Sequence, residues 1–287
     1  MLIDSQEAVT PAVLKVMEQT KDPRLREIMV SLIKHLHGFV REVRLTEQEF
    51  QQATRILNTM GQQTTDTHNE FVLMAGSLGV SSLVCLLNNG DNGATETTQS
   101  LLGPFWRLNQ PRTENGGSIL RSETPGPRLY GRFSFVDDAG APIEGLEVDI
   151  WHASPVGLYE NQDDGQADCN LRGKFVTGPD GVVSFKSVKP VGYPIPTDTT
   201  VGRRLAAQGR HPYRPAHVHV LAHKPGFKTL INQTYVDETK YLTSDVQFGV
   251  TPALIGKLER HDGPHPEDGD VGEWYSLDHT LTLEPGE

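Results

Sequence analysis

Apolar residues in the first 90 or so positions recur three and four apart, the spacing that puts them on one face of a helix. Leu25, Ile28, Met29, Leu32, Ile33 and Leu36 form the clearest stripe and predict an amphipathic helix with one buried face. Thr10-Pro11 and Asp22-Pro23 each set a capping side chain before a proline at the first helical position, and Thr46 with Glu49 reads as a capping box. The run HNEFVLMAGSLGVSSLVCLLNNG is apolar on most sides and stops at Asn-Asn-Gly, which predicts one central helix buried against several neighbours.

From about residue 91 the texture changes to short β-rich runs: RLYGRFSFVD, LEVDIWHA, GKFVTG, GVVSFKSV, AHVHVLAHK and LINQTYVD. Asp-Ala-Gly, Pro-Asp-Gly and Lys-Pro-Gly turns separate them. Strands without intervening helices predict an antiparallel sandwich or barrel. The fold class is therefore α+β, mainly β, with a helical domain over 1–95 and an antiparallel β-sandwich over 96–287. The tail HDGPHPEDGD reads as an acidic surface loop.

Composition adds exclusions. A chain of 287 residues holds one large or two modest domains. Its net charge of −11 disfavours a nucleic acid or an anionic membrane surface as partner, since both require a basic face. Cys85 and Cys169 are too few for a disulfide framework, so the cytoplasm is the expected compartment. MLIDSQEAVT lacks the basic and apolar regions of a secretory signal, and no apolar run approaches the roughly 18 residues of a membrane span.

The candidate chemistry lies between Val191 and Val220. His217 and His219 alternate with Val218 on a predicted strand, so both project from the same side and can close on one metal ion. Tyr193, between Gly192 and Pro194-Ile195-Pro196, sits in a segment that is neither regular helix nor central strand and can hold a phenol towards a fixed point. Tyr159 follows LEVDIWHA across a Pro/Gly break. Imidazole suits iron, copper and zinc alike, whereas phenolate is a hard anionic donor that favours a trivalent cation, so Fe(III) is the cofactor expected. His35 and His37 fall in a helical pattern where positions two apart do not share a face. Cys169 has no identifiable partner base and reads as an inert thiol.

The run from Leu129 to Tyr159, followed by NLRGKF, KPVGYPIP and RPAHVHV, resembles the intradiol ring-cleaving dioxygenases, non-haem Fe(III) enzymes that open catechols between the two hydroxyls. Within that family TETTQSLLGPFW, NLRGKF and VGYPIPTDTTVGR look most like hydroxyquinol 1,2-dioxygenases, with catechol 1,2-dioxygenases next. The resemblance implies that Tyr159, Tyr193, His217 and His219 are the iron ligands, and that Tyr193 leaves the metal to act as the base for the substrate diol. It also implies that Arg214 and Gln233 assist catalysis from beside the ligands. Leu73, Gly76, Leu102, Gly103, Pro104, Phe105, Ile195, Pro196, Arg214 and Gln247 would line the substrate pocket. Hydroxyquinol enzymes tend to carry an acid where Gly76 stands and an aliphatic residue where Gln247 stands; both departures leave more room beside the ring and a polar group elsewhere. The partners implied are a small aromatic diol or triol, dioxygen, and a second copy joined through the N-terminal helices, with a phospholipid in an apolar tunnel between them.

Overall fold

The computed structural model describes residues 2–65, 68–90, 97–236, 240–265, 269 and 271–286. Contacts divide the chain into two compact units, Met1–Thr59 and Met60–Glu287.

The first unit is helical. α1 (Gln6–Met17) starts one turn earlier than Thr10-Pro11 predicts, because the Ser5 side chain accepts the Ala8 N–H and caps it; Pro11 lies inside the helix. α2 (Pro23–Val43) begins as predicted, with Asp22 accepting from Arg24 and Leu25. α3 (Glu47–Gln63) opens on the reciprocal bonds of a capping box, Thr46 N to Glu49 Oε2 at 2.9 Å and Glu49 N to Thr46 Oγ1 at 3.3 Å. The apolar stripe of α2 is not buried as expected: of the described residues on this helix only Ile33 is, while Leu25, Ile28, Leu32 and Leu36 are exposed.

In the second unit the predicted central helix is two helices, α4 (Glu70–Ser77) and α5 (Val80–Asn89), at 76° to each other. Gly79, at φ 75°, makes the break. α4 buries Leu73 and Gly76 on one face, three residues apart, whereas α5 buries none of its residues. No single described helix is long and apolar enough to cross a membrane.

Among the described residues ten strands follow: β1 (Arg128–Val136), β2 (Glu147–Trp151), β3 (Arg172–Val176), β4 (Val182–Val188), β5 (Tyr193–Pro194), β6 (Tyr213–Arg214), β7 (His217–His223), β8 (Leu230–Val236), β9 (Ile255–Pro264) and β10 (Val271–Thr282). A short helix, α6 (Thr200–Ala207), separates β5 from β6. Eight strands form one sheet in the order β3-β2-β7-β8-β9-β10-β1-β4, and β5 pairs with β6 apart from it. The sheet is mixed, not antiparallel throughout as expected, because β1 runs parallel to β10 and β8 to β9. Its two ends are brought together by the extended segment around 111–119. Thr113 N bonds to Lys174 O on β3 at 2.8 Å, and Ile119 N to Lys186 O on β4 at 3.0 Å. Phe175 and Phe185, from these opposite ends, lie 6.3 Å apart, and apolar side chains of strands from both halves share one core, so the sheet is barrel-like.

β9 and β10 were not anticipated from the chain, although Tyr275, Leu277 and Leu281 alternate inwards along β10. His261–Pro264 of the expected surface loop belongs to β9, and residues 266–268 and 270 lie outside those described.

Candidate metal centre

β7 lies between β2 and β8, so side chains on one of its faces are closed in on both sides. His217 and His219 share that face, and their Nε2 atoms are 3.2 Å apart. His217 Nδ1 lies 2.8 Å from the Pro215 carbonyl, which can only accept; the proton therefore sits on Nδ1 and the Nε2 lone pair is free for a ligand. His219 pairs across the ladder with Trp151, whose ring stacks on it at 4.7 Å and 5°. Its Nδ1 is buried without a hydrogen-bond partner among the described residues.

Tyr159 reaches the same point from the segment after β2, where Gly157, at φ 83°, turns the chain. A Cβ on Gly157 would stand 2.9 Å from Tyr193 Cβ, so only glycine lets the two tyrosine segments approach this closely. Tyr193 is held by β5, opposite Arg214 on β6. The phenol oxygens are 3.1 Å apart, Tyr159 Oη is 2.9 Å from His219 Nε2, and Tyr193 Oη is 3.4 Å from His217 Nε2. Four donors thus form a ring with edges of 2.9–3.4 Å. Donors about 2.0–2.1 Å from a common ion, at right-angled to tetrahedral angles, stand about 2.9–3.4 Å apart. The ring therefore fits a single transition-metal ion.

Electrostatics agree. Burial, then the charges of Arg214 and neighbouring groups, lowers the pKa of His217 to about 3, and burial with His217 and Arg214 lowers that of His219, so both imidazoles are neutral ligands. Burial raises both phenols, Tyr159 further through Tyr193, against the opposing charge of Arg214. Two buried phenols become phenolates only beside a strong positive charge, which a trivalent cation supplies. Among the described residues no three His, Cys, Asp or Glu side chains form a metal cluster, because half of this donor set is tyrosine.

Arg214 is buried beside the donors, not paired at the surface. Its Nε and Nη2 meet the two oxygens of Asp245 at 3.1 and 3.0 Å, and Nη2 also donates to Gln233 Oε1 at 2.8 Å and Tyr235 Oη at 2.7 Å. Gln233 in turn donates to Leu101 O at 2.7 Å, tying the cluster to the Leu102–Phe105 loop. The β7/β8 register sets this up by pairing His217 with Tyr235 and His219 with Gln233. Beside Tyr159, buried Glu160 accepts from Arg172 Nε at 2.7 Å and Arg107 Nη1 at 2.8 Å. That clamp is the structural use of NLRGKF.

A cavity of about 290 Å³ opens onto Tyr193, His219 and Arg214. Leu73, Gly103, Pro104, Phe105, Ile195, Pro196 and Gln247 line it; Gly76, Leu102 and Gln233 are not part of its wall. Phe105 stacks on Tyr159 at 4.4 Å, and Leu102 packs against the cluster containing both. A Cβ on Gly76 would lie 2.8 Å from Gln247 Oε1, so the room expected beside Gly76 is filled by the carboxamide of Gln247. His68, Gln162 and Asp198 also line the cavity and were not singled out from the sequence. Asp245 and Tyr235 were missed too, and no spacing motif marks them. Elsewhere His37 Nδ1 lies 2.9 Å from Thr10 Oγ1, an ordinary interhelical contact, and Cys85 and Cys169 are free thiols.

Residues 22–95 match the family model described as the catechol dioxygenase N terminus, and residues 102–278 match the one described as dioxygenase. A hydroxyquinol 1,2-dioxygenase of Rhizobium sp. (strain MTP-10005) is 38% identical over 97% of this chain and 95% of its own. A catechol 1,2-dioxygenase of Candida albicans is 33% identical, over 96% and 92%. Among solved structures, hydroxyquinol 1,2-dioxygenase from Pseudomonas putida DLL-E4 superposes with a TM-score of 0.87 at 32% identity, covering 98% of this chain and 99% of that one.

Proposed function

The chain belongs to the intradiol ring-cleaving dioxygenases, and we propose that it binds Fe(III) through Tyr159, Tyr193, His217 and His219 and opens hydroxyquinol (1,2,4-trihydroxybenzene) or a close analogue with O2. The product is 3-hydroxy-cis,cis-muconate, which tautomerises to maleylacetate. The observation that carries the site is the ring of four donors at 2.9–3.4 Å. A second reading, catechol as substrate and cis,cis-muconate as product, draws on the Candida albicans relative.

Bound iron(III) supplies Lewis acidity that lowers the pKa of a diol's hydroxyls. The chain's own residues do the rest. Burial raises the pKa of Tyr193, so its oxygen would accept and keep a proton from a ring hydroxyl. Arg214, fixed by Asp245 and Gln233, presents a permanent charge to the cavity and stabilises negative charge growing on the ring. Leu73, Phe105, Ile195 and Pro196 exclude water, and Gln247 bounds the ring where Gly76 leaves space.

In this reading residues 1–95 serve as the dimerisation and linker domain and 96–287 as the catalytic domain. The exposed stripe of α2 supports a homodimer through the N-terminal helices, and a cavity of about 450 Å³ lined by Val9, Val40, Leu45 and Phe50 has room for a phospholipid chain. Two free thiols support a cytoplasmic location.

The test is colour, metal and oxygen. Purified protein is expected to be red-brown from tyrosinate-to-iron charge transfer, to hold one iron per chain, and to take up oxygen faster with hydroxyquinol than with catechol. Tyr193→Phe should shift the visible band and lower turnover while the fold survives. One zinc per chain with no oxygen uptake would overturn the function; greater efficiency on catechol would favour the second reading.

A further inference from the structure

Just ahead of α4, Thr65 and His68 pair backbone to backbone, with Thr65 N 2.7 Å from His68 O. His68 forms part of the wall of the cavity that holds Tyr193 and His219. Behind it stands Glu70, with no solvent exposure at all, its Oε1 3.0 Å from His68 Nε2. The other carboxylate oxygen, Oε2, accepts the Val201 N–H in the first turn of α6 at 3.0 Å. A buried carboxylate is costly unless every oxygen keeps its donor, so this pair holds the imidazole in place. Carboxylate only accepts, so Nε2 carries a proton towards Glu70 and Nδ1 remains as the ring's second polar atom.

Several of the other polar groups of the wall already have partners or are exposed. Gln162 Oε1 accepts the Tyr159 N–H at 3.1 Å, Arg214 is bound to Asp245, and Asp198 is exposed. Thr197 and Gln247 add a hydroxyl and a carboxamide, the latter lying against Gly76, while Leu73, Pro104, Phe105, Ile195 and Pro196 cannot hydrogen-bond through a side chain.

We propose that His68, oriented by Glu70, is a specificity-determining residue that hydrogen-bonds a third hydroxyl on the substrate ring. The inference rests on the reading above, in which the adjacent diol goes to the four donors. Neutral imidazole accepts from the hydroxyl through Nδ1, and imidazolium donates to its oxygen; a ring hydrogen can do neither. No group is transferred, and the hydroxyl keeps its proton. A site built to bond a hydroxyl discriminates against the analogue lacking it, because its own polar atom is then left unpaired.

The experiment compares kcat/KM for hydroxyquinol and for catechol, by oxygen uptake, in iron-loaded wild type, His68→Phe and Glu70→Gln. In His68→Phe the hydroxyquinol-to-catechol ratio should fall about tenfold to hundredfold, with the ferric charge-transfer band unchanged. Glu70→Gln should move the ratio the same way; thermal melting reports whether it folds, and His68→Phe stands alone if it does not. A ratio within about twofold of wild type in His68→Phe, or equal losses on both substrates, overturns the inference. Failure of the underlying reading looks different, since the unmodified enzyme would then take up no oxygen with either diol.

Discussion

His152 is wholly buried, with Nδ1 2.8 Å from the Ala153 carbonyl and Nε2 2.7 Å from the Ser187 hydroxyl. Burial, opposed by the bond to Ala153 and aided by the charge of Arg172, lowers its pKa to about 4. In the unfolded chain the same ring titrates near ~6.5. Between those values the unfolded state binds a proton that the folded state refuses, so the group's contribution to stability is complete above ~6.5 and declines as pH falls towards ~4, by about 3 kcal/mol. Urea unfolding at several pH values from neutral to about 4 should show a smaller acid loss in His152→Asn than in wild type; equal slopes would contradict the assignment. At this scale the sequence is most legible where neighbours in space are neighbours in the chain. His217 and His219 share a face because alternation is a property of any strand. Asp245 and Tyr235 stand 31 and 21 residues from the Arg214 they bind, and only the folded register brings them together.

Helix starts are written locally, so Asp22-Pro23 and the Thr46–Glu49 box mark α2 and α3 correctly. The stop between α4 and α5 is local too, yet a continuous apolar run hides it, and Gly79 is its one sign. Its φ of 75° is left-handed, and an added Cβ would stand 3.6 Å from Phe248 Cδ2, an ordinary contact. The cost of Gly79→Ala is therefore backbone strain alone, about 1–2 kcal/mol. Urea denaturation should report that loss with turnover retained; no loss would mean that the two helices can merge. The parallel pairs β1/β10 and β8/β9 were not legible for the opposite reason. Alternation tells which face of a strand is buried but not which distant strand lies beside it.

Contacts divide the molecule between residues 59 and 60, earlier than the change of texture near 91, because α4 carries Leu73 into a cluster with Ile195 and Val201. A hydrophobic pattern reports that a helix has a buried face; it does not report what buries it. The α2 stripe makes the point, with Leu25, Ile28, Leu32, Leu36 and Phe39 between 46% and 52% exposed in the single chain. Isolated exposed leucines are ordinary, whereas a contiguous stripe of this kind on one helix is what the proposed homodimer would cover. All four donors, Arg214 and His68 belong to Met60–Glu287, so loss of the proposed dimer through α2 should leave the chemistry intact. Leu32→Asp combined with Leu36→Asp should bring the sedimenting species down to one 31.7 kDa chain while iron per chain and turnover persist. A wild type that already sediments as a single chain would leave the stripe without a second copy to cover it. A double variant that loses iron along with its partner would mean that the centre depends on the assembly.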